Sequence, residues 1–312
     1  MTTNPPQAIF LMGPTGAGKS DLALALAAEL PVEIISVDSA MVFRGLDIGT
    51  AKPARAVRAR TPHHLIDLLD PAESYSAGQF VRDAAAAMTE IRARGRMPLL
   101  VGGTMLYFHA LLHGLADLPT ADKELRRELD ERAALEGWPA LHAELARVDP
   151  RAAGRIEPGD AQRIQRALEV FHATGAPISE LQAARAPSLE AASVLRLVVA
   201  PRDRKLLHAR LERRLEGMLA QGFLAEVERL FQRRDLDVRR PAIRAVGYRQ
   251  LWGYVAGEYP LGEARRRALV ATRQLAKRQL TWLRQHRDAE WYDPLEASEI
   301  AHMSDRVRLL LG

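Results

Sequence analysis

A parallel α/β sheet with helices on both faces and a helical insertion is the fold class that this 312-residue chain predicts. Three observations carry it. Short, mostly apolar runs end in glycine, aspartate or proline; segments with helical periodicity separate them; and the strand signal disappears over one long central stretch. Strands that are nearly continuous in apolar residues mark a sheet buried on both sides, and 47% hydrophobic residues over this length supply a sizeable core.

The elements follow in order. Ala8 to Met12 is the first apolar run, stopping at Gly13; Ser20 to Leu30 repeats apolar residues at helical spacing; Val32 to Val37 is a second run, stopping at Asp38. This reads as strand, loop, helix, strand. His63 and His64 are adjacent, so on a strand their rings point to opposite faces and make a poor pair of metal ligands. Ala77 to Arg94, stopped by Gly95, is a covering helix; Pro98 to Val101, closed by Gly102 and Gly103, is a third strand. From Ala121 to about Ala186, alanine-rich and charge-rich helices are broken at Gly137, Pro139, Pro150, Pro158 and Gly175. A fourth strand, Val194 to Ala200, comes after this stretch, which is therefore an insertion. Helices are expected over Lys205 to Leu219, Leu224 to Arg233 and Gly262 to Leu283. The chain divides into a first part of the core at 1–120, the insertion at 121–186, and the last core strand with basic helices at 187–312.

Charge is uneven. Between Arg202 and Arg284, 20 Arg and Lys accompany 9 Asp and Glu, whereas the rest of the chain has 24 against 30. A basic final third suggests a polyanion surface, although arginine-rich helices also occur as plain solvated faces. The absence of cysteine excludes disulfides, thiolate metal sites and a thiol nucleophile. Met1 to Gln7 lacks a basic segment and the following apolar run is too short for a signal peptide or membrane span, so a cytoplasmic protein is expected.

Gly13-Pro14-Thr15-Gly16-Ala17-Gly18-Lys19-Ser20 fits G-x-x-x-x-G-K-S/T between a strand and a helix. In such a P-loop the glycines let backbone N–H groups curl around phosphate oxygens, Lys19 adds charge, and the Ser20 hydroxyl can meet Mg²⁺. The core is thus expected to be P-loop NTPase-like. A common P-loop NTPase would place a metal-holding acid after another strand, but Pro98 to Val101 ends in Gly102-Gly103-Thr104. The acid is Asp38, at the end of the second strand, where it can bind Mg²⁺, cap a helix or accept a proton.

The order of motifs resembles the tRNA dimethylallyltransferase family. The matches are Gly13 to Ser20, Ile35 to Ser39, Gly45 to Pro53, Pro62 to Asp67, Val101 to Tyr107, Gln162 to Glu169, Arg244 to Gln250 and Gln274 to Trp282, covering roughly residues 8 to 287. The resemblance implies transfer of a dimethylallyl group from dimethylallyl diphosphate to the exocyclic amine of the adenosine 3′-adjacent to the anticodon. It implies catalytic roles for Asp38, Lys19 and Thr15, a diphosphate in the loop of residues 13–20, and Mg²⁺ on Ser20. It places tRNA against Asp38, Ser39, Ala40, Met41 and Thr104, against Arg126, Gln162, Arg163, Ile164, Gln165 and Arg166, and against Arg244, Gly247, Tyr248, Arg249, Lys277 and Arg278. Read from their neighbours alone, Tyr248, Trp252 and Trp282 are core residues rather than base platforms. The partners implied are a tRNA anticodon stem-loop and dimethylallyl diphosphate, for a monomer with no membrane contact. The chain departs from the family pattern at Met41, where glutamine is common, and at Phe43, where tyrosine is. Two other classes share part of this signature: a small-molecule or nucleoside kinase, and an RNA-binding switch driven by nucleotide hydrolysis.

Overall fold

A computed structural model describes residues 6–116, 118–119, 122–183, 189–190 and 193–311. Two compact units form, one from residues 1–112 and 189–312 and one from 113–188. The second starts at 113, ahead of the expected 121, just after Leu111 and Leu112, which are buried in the first.

In the first unit, six parallel strands run in the order β3-β2-β4-β1-β5-β6: β1 Ala8–Met12, β2 Val32–Val37, β3 His63–His64, β4 Met97–Gly102, β5 Val194–Val199 and β6 Glu290–Tyr292. The four inner strands are those expected. The two edges escape the sequence because two or three residues carry no periodicity. Pro98 is tolerated in an inner strand because the β1 ladder begins only at Leu99. Alternation along β1 splits the core. Ala8, Phe10 and Met12 join one cluster and Ile9 and Leu11 another.

Helix α1 (Lys19–Glu29) covers the Ile9 face through Ala23 and Leu26. The short α2 (Arg55–Arg60) precedes β3. Helices α3 (Ala77–Ala93), opened by a Ser76/Gln79 capping box, and α4 (Met105–His113) cover the Phe10 face.

The second unit consists of α5 (Lys123–Glu136), α6 (Trp138–Val148), α7 (Pro150–Ala153), α8 (Ala161–Thr174) and α9 (Ile178–Leu181), with no strand among its described residues. Leu129, Leu141, Leu145, Ile164 and Leu168 form its core.

Back in the first unit come α10 (Arg204–Ala220), α11 (Phe223–Phe231), α12 (Tyr248–Val255), α13 (Leu261–Leu283) and α14 (Ala297–Leu311). α14 is absent from the sequence reading, since only Met303 and Val307 are fully buried on it. A separate core joins Val42, Phe43 and Leu46 to Phe223, Tyr248 and Trp252, carrying the loop after β2 onto α11 and α12. No helix of the described residues is long and apolar enough to cross a membrane.

Candidate active site

The site lies at the carboxyl ends of β1, β2 and β4. Gly13 ends β1 so close to β5 that a Cβ would stand 2.2 Å from the Val199 carbonyl oxygen, and at Gly102 a Cβ would meet Val37 O at 2.0 Å. Glycine at both positions lets the strand ends converge.

The phosphate loop follows. Gly16 (φ 78°) and Gly18 (φ 91°) take the left-handed conformation. Pro14 has no N–H, the Thr15 amide donates to Gln279 Oε1 (2.9 Å), and the Ala17 amide turns back to Pro14 O (3.3 Å). The cradle is therefore narrower than residues 13–20. Among the described residues, the amides of Gly16, Gly18, Lys19 and Ser20 make no hydrogen bond, as at an open helix N-terminus. Lys19 Nζ donates to Pro14 O at 2.7 Å. Burial, reinforced by the Arg214 charge and opposed by Asp38, lowers the Lys19 pKa to about 7.

Arg214 on α10 carries no distinguishing signal in the sequence, where it is one basic residue among many. Its one hydrogen bond among the described residues is long, 3.4 Å to Thr50 O. Burial lowers its pKa, with Asp38 and Asp21 acting the other way. Two desolvated cations thus flank one loop, an arrangement that an anion would relieve.

Asp38 Oδ1 accepts from the amides of Ala40 (2.8 Å) and Met41 (3.2 Å). The carboxylate caps the turn after β2, and among the described residues no hydrogen bond reaches Oδ2. Thr104 Oγ1 accepts from the Ser39 amide at 3.1 Å, tying the ends of β2 and β4 together. Gln279 on α13 donates to Gly103 O (2.9 Å) while accepting from Thr15. Its amide therefore clamps the loop to β4, and a Cβ at Gly103 would lie 2.4 Å from Gln279 Nε2, so a side chain there would displace the clamp.

Two cavities meet at these residues. The narrow one, about 90 Å³, holds Lys19, Ser20 and Arg214 with apolar Ala23, Ile34, Met41, Ile66 and Val101. The wide one, about 440 Å³, is bordered by Ser39, Ala40, Thr104, Leu106, Arg244 and Arg278. Thr15, Asp38, Thr50, Gly103, Arg214 and Gln279 line both.

Several expected tRNA contacts are placed differently. Met41 lines the narrow cavity, not the wide one, because the turn capped by Asp38 sends its side chain to Ser36, whose hydroxyl donates to Sδ at 3.7 Å. Tyr248 borders the wide cavity but is 1% exposed, as its apolar neighbours foretold. Its hydroxyl donates to buried Glu226 at 2.5 Å, and Glu226 also accepts the amides of Asp47, Ile48 and Gly49. Tyr248 thus fastens the loop after β2, and it offers RNA no ring face. Gly247 lines the wide cavity, whereas Arg249 is exposed and lines neither. Lys277 and Arg278 part company: Arg278 borders the wide cavity and Lys277 a separate groove with Arg204, His208 and Arg273.

In the second unit, Gln162 and Arg163 are exposed and Ile164 is fully buried, which removes Ile164 from any RNA surface. Arg126 and Arg166 both bind the buried Glu169 carboxylate, and Gln165 donates to Arg126 O and Asp130. These three hold the unit together.

No cluster of three His, Asp or Glu suited to a metal occurs among the described residues. His63 instead bonds Thr61 O through Nδ1, and His64 bonds Glu33.

Residues 41–286 match the IPP transferase family. A tRNA dimethylallyltransferase of Nitrosococcus oceani is 56% identical over 98% of this chain and 98% of its own length. The crystal structure of a tRNA isopentenylpyrophosphate transferase from Bacillus halodurans aligns at TM-score 0.70 and 35% identity, covering 97% of this chain and 96% of that one. A eukaryotic dimethylallyltransferase acting on tRNA aligns at TM-score 0.77 and 27% identity over 92% of this chain and 73% of that one. These relatives transfer prenyl groups, which disfavours the kinase and switch alternatives.

Proposed function

Because the chain belongs to the IPP transferase family and is a prenyltransferase, we propose that it transfers dimethylallyl from dimethylallyl diphosphate to N6 of the adenosine 3′-adjacent to the anticodon in tRNA. The observation that carries this reading is the meeting of two unlike cavities at Asp38. One carries Lys19 and Arg214 together with the apolar side chains of Ala23, Ile34, Met41, Ile66 and Val101, fitting an allylic diphosphate; the other is wide and bordered by cations, fitting a nucleotide on an RNA strand.

In the reaction, N6 attacks C1 of the allyl group, the C–O bond breaks, and diphosphate leaves with the bonding pair. The free amides of the loop, Lys19 and Arg214 face the growing negative charge. Thr15 contributes at the junction, where Gln279 holds its amide. Asp38 accepts a hydrogen bond from N6 and takes its proton, a step typically worth roughly 10²–10⁴ in rate. The narrow cavity keeps water from the cationic allylic carbon. An adenine entering the wide cavity has left its stack, so its edge is read by groups near Ser39, Ala40 and Thr104.

Mg²⁺ fits a site with one hydroxyl, Ser20, and no acidic cluster, since this ion is commonly held by substrate phosphates and water. When bound it would neutralise diphosphate charge. Arg244 and Arg278 at the wide cavity, with exposed Arg249, Lys277, Gln162 and Arg163, are left to meet the RNA backbone. The enzyme acts as a monomer on the anticodon stem-loop in the cytoplasm.

The test incubates the protein with radiolabelled dimethylallyl diphosphate and unmodified tRNA, followed by digestion to nucleosides. Label is expected on one adenosine beside the anticodon. Label absent from RNA, or found on another base, overturns the reading.

A further inference from the structure

We propose that Met41 and Ile66 are the residues that limit the donor to a single isoprene unit, and that Lys52 is the positioning residue holding them there. The inference rests on the prenyl-transfer reading and adds to it what sets the size of the group transferred.

The narrow cavity has walls of two kinds. Ile34 and Val101 belong to inner strands, and Ala23 is buried against the sheet on α1, so these cannot yield without disturbing the core. Met41 and Ile66 come from the loops after β2 and β3. Loop walls would ordinarily be soft. Here they are fastened to each other, with the Asp67 amide donating to Met41 O at 3.2 Å and the Leu69 amide to Val42 O at 3.0 Å.

Backbone strain marks the same place. The three described non-glycine residues with positive φ are Ala51 (54°), Leu65 (63°) and Asp67 (59°). Ala51 lines the narrow cavity, and Leu65 and Asp67 flank Ile66. Such conformations persist only where surrounding contacts enforce them. The enforcing group is Lys52, whose side chain is 1% exposed. Its ammonium donates to Asp67 Oδ1 (2.6 Å), Asp47 Oδ1 (2.7 Å) and Phe43 O (2.8 Å), and Arg58 takes Asp67 Oδ2 at 2.8 Å. Lys52 does not line the narrow cavity, so it acts only through the loops it joins.

A rigid wall discriminates by volume. Even one extra methylene in a fixed apolar pocket changes kcat/KM by roughly 10–200-fold, so a second isoprene unit should be refused by at least about 100-fold. Two polar groups beside the apolar walls are already engaged. The Ser36 hydroxyl is turned to Met41 Sδ and the His63 Nδ1 proton to Thr61 O.

The experiment measures kcat/KM with saturating tRNA for dimethylallyl diphosphate and for its ten-carbon homologue, geranyl diphosphate. Parent protein is compared with Met41→Ala, Ile66→Ala, the milder Ile66→Val, and Lys52→Ala with Lys52→Arg. Pyrophosphate affinity, which reads the phosphate loop, Lys19 and Arg214 alone, reports whether each variant is folded. The ten-carbon to five-carbon ratio should rise about 10-fold or more in Met41→Ala and Ile66→Ala, and less but in the same direction in Ile66→Val. In Lys52→Ala it should rise together with the donor KM, and Lys52→Arg should restore part of the selectivity. An unchanged ratio in Ile66→Val and in whichever alanine variants retain pyrophosphate affinity overturns the proposal. Parent protein that transfers no dimethylallyl to tRNA overturns the functional reading instead.

Discussion

The second unit and the phosphate-loop site of the first bury charge in opposite ways. In the second, Glu169 is wholly buried, yet Arg126, Arg166 and the Asp122 amide occupy its oxygens. Burial alone would raise its pKa, but those partners outweigh burial and hold it below the usual carboxylate range. Asp149 is likewise saturated by the Ser179 amide and hydroxyl and the Ala152 amide, with the same result. In the first unit, Lys19 and Arg214 are desolvated with little in return, and their pKa values fall. A completed network marks a structural part, whereas an incomplete one marks a place prepared for a charged ligand.

Asp38 gives the sharpest way to break this contrast. Asp38→Ala is expected to lower transfer by about 10²–10⁴ while tRNA still binds. The check is single-turnover kinetics with labelled donor beside a filter-binding titration. If the variant turns over like the parent, the acid at the cavity junction serves only to cap the Ala40 and Met41 amides.

Next come the desolvated cations. Arg214→Met should weaken pyrophosphate binding about 10- to 100-fold, the range for losing a hydrogen bond to a charged group. Lys19 adds a signature in protons. With a pKa lowered from 10.5 to about 7, it is largely neutral at pH 8.5 in the free protein, and a bound anion favours its charged form. Pyrophosphate binding at pH 8.5 should therefore take up a larger fraction of a proton in the parent than in Lys19→Met, a difference that nearly vanishes at pH 6. Calorimetry in two buffers of different ionisation enthalpy reads this directly. The same shift makes the unfolded chain bind more protons than the folded one between about pH 7 and 10.5, so the contribution of Lys19 to stability rises with pH across that window.

A substitution in the saturated network should behave otherwise. Glu169→Gln leaves two arginines without a carboxylate and is expected to destabilise the second unit by about 3 kcal/mol, read by denaturant unfolding. Because the folded-state pKa of Glu169 is depressed, its contribution is present above about pH 4.5, the unfolded value, and is lost as pH falls below it. Loss of pyrophosphate affinity without loss of stability in Glu169→Gln would contradict the structural assignment.

How much of this could be read from residues alone follows the same division. The phosphate loop and Asp38 are legible because the loop's spacing is local and each stands at the end of an apolar run. Arg214 is not, because nothing in the sequence separates it from the other arginines of the basic third; only the fold carries it to Asp38. Gln279 stood in a recognised motif, but its partner Thr15 is 264 residues away. The family resemblance groups Met41 with Ser39 and Ala40 against tRNA, but one capped turn sends its side chain into the other cavity. The edge strands β3 and β6 were missed for want of length, not through any conflict of propensity.

The smallest expected effects separate Lys277 from Arg278, neighbours in sequence that line different recesses. Helical geometry places consecutive residues about 100° apart, so one face of α13 serves the wide cavity while another serves the groove beside α10. Each alanine variant should reduce the slope of log affinity for tRNA against log salt by roughly one ion. Arg278→Ala should in addition lower kcat, since its side chain borders the cavity that receives the reacting nucleotide; Lys277→Ala should raise only the KM for tRNA. Equal losses of kcat in both would mean that the groove and the cavity act as a single surface when RNA is bound.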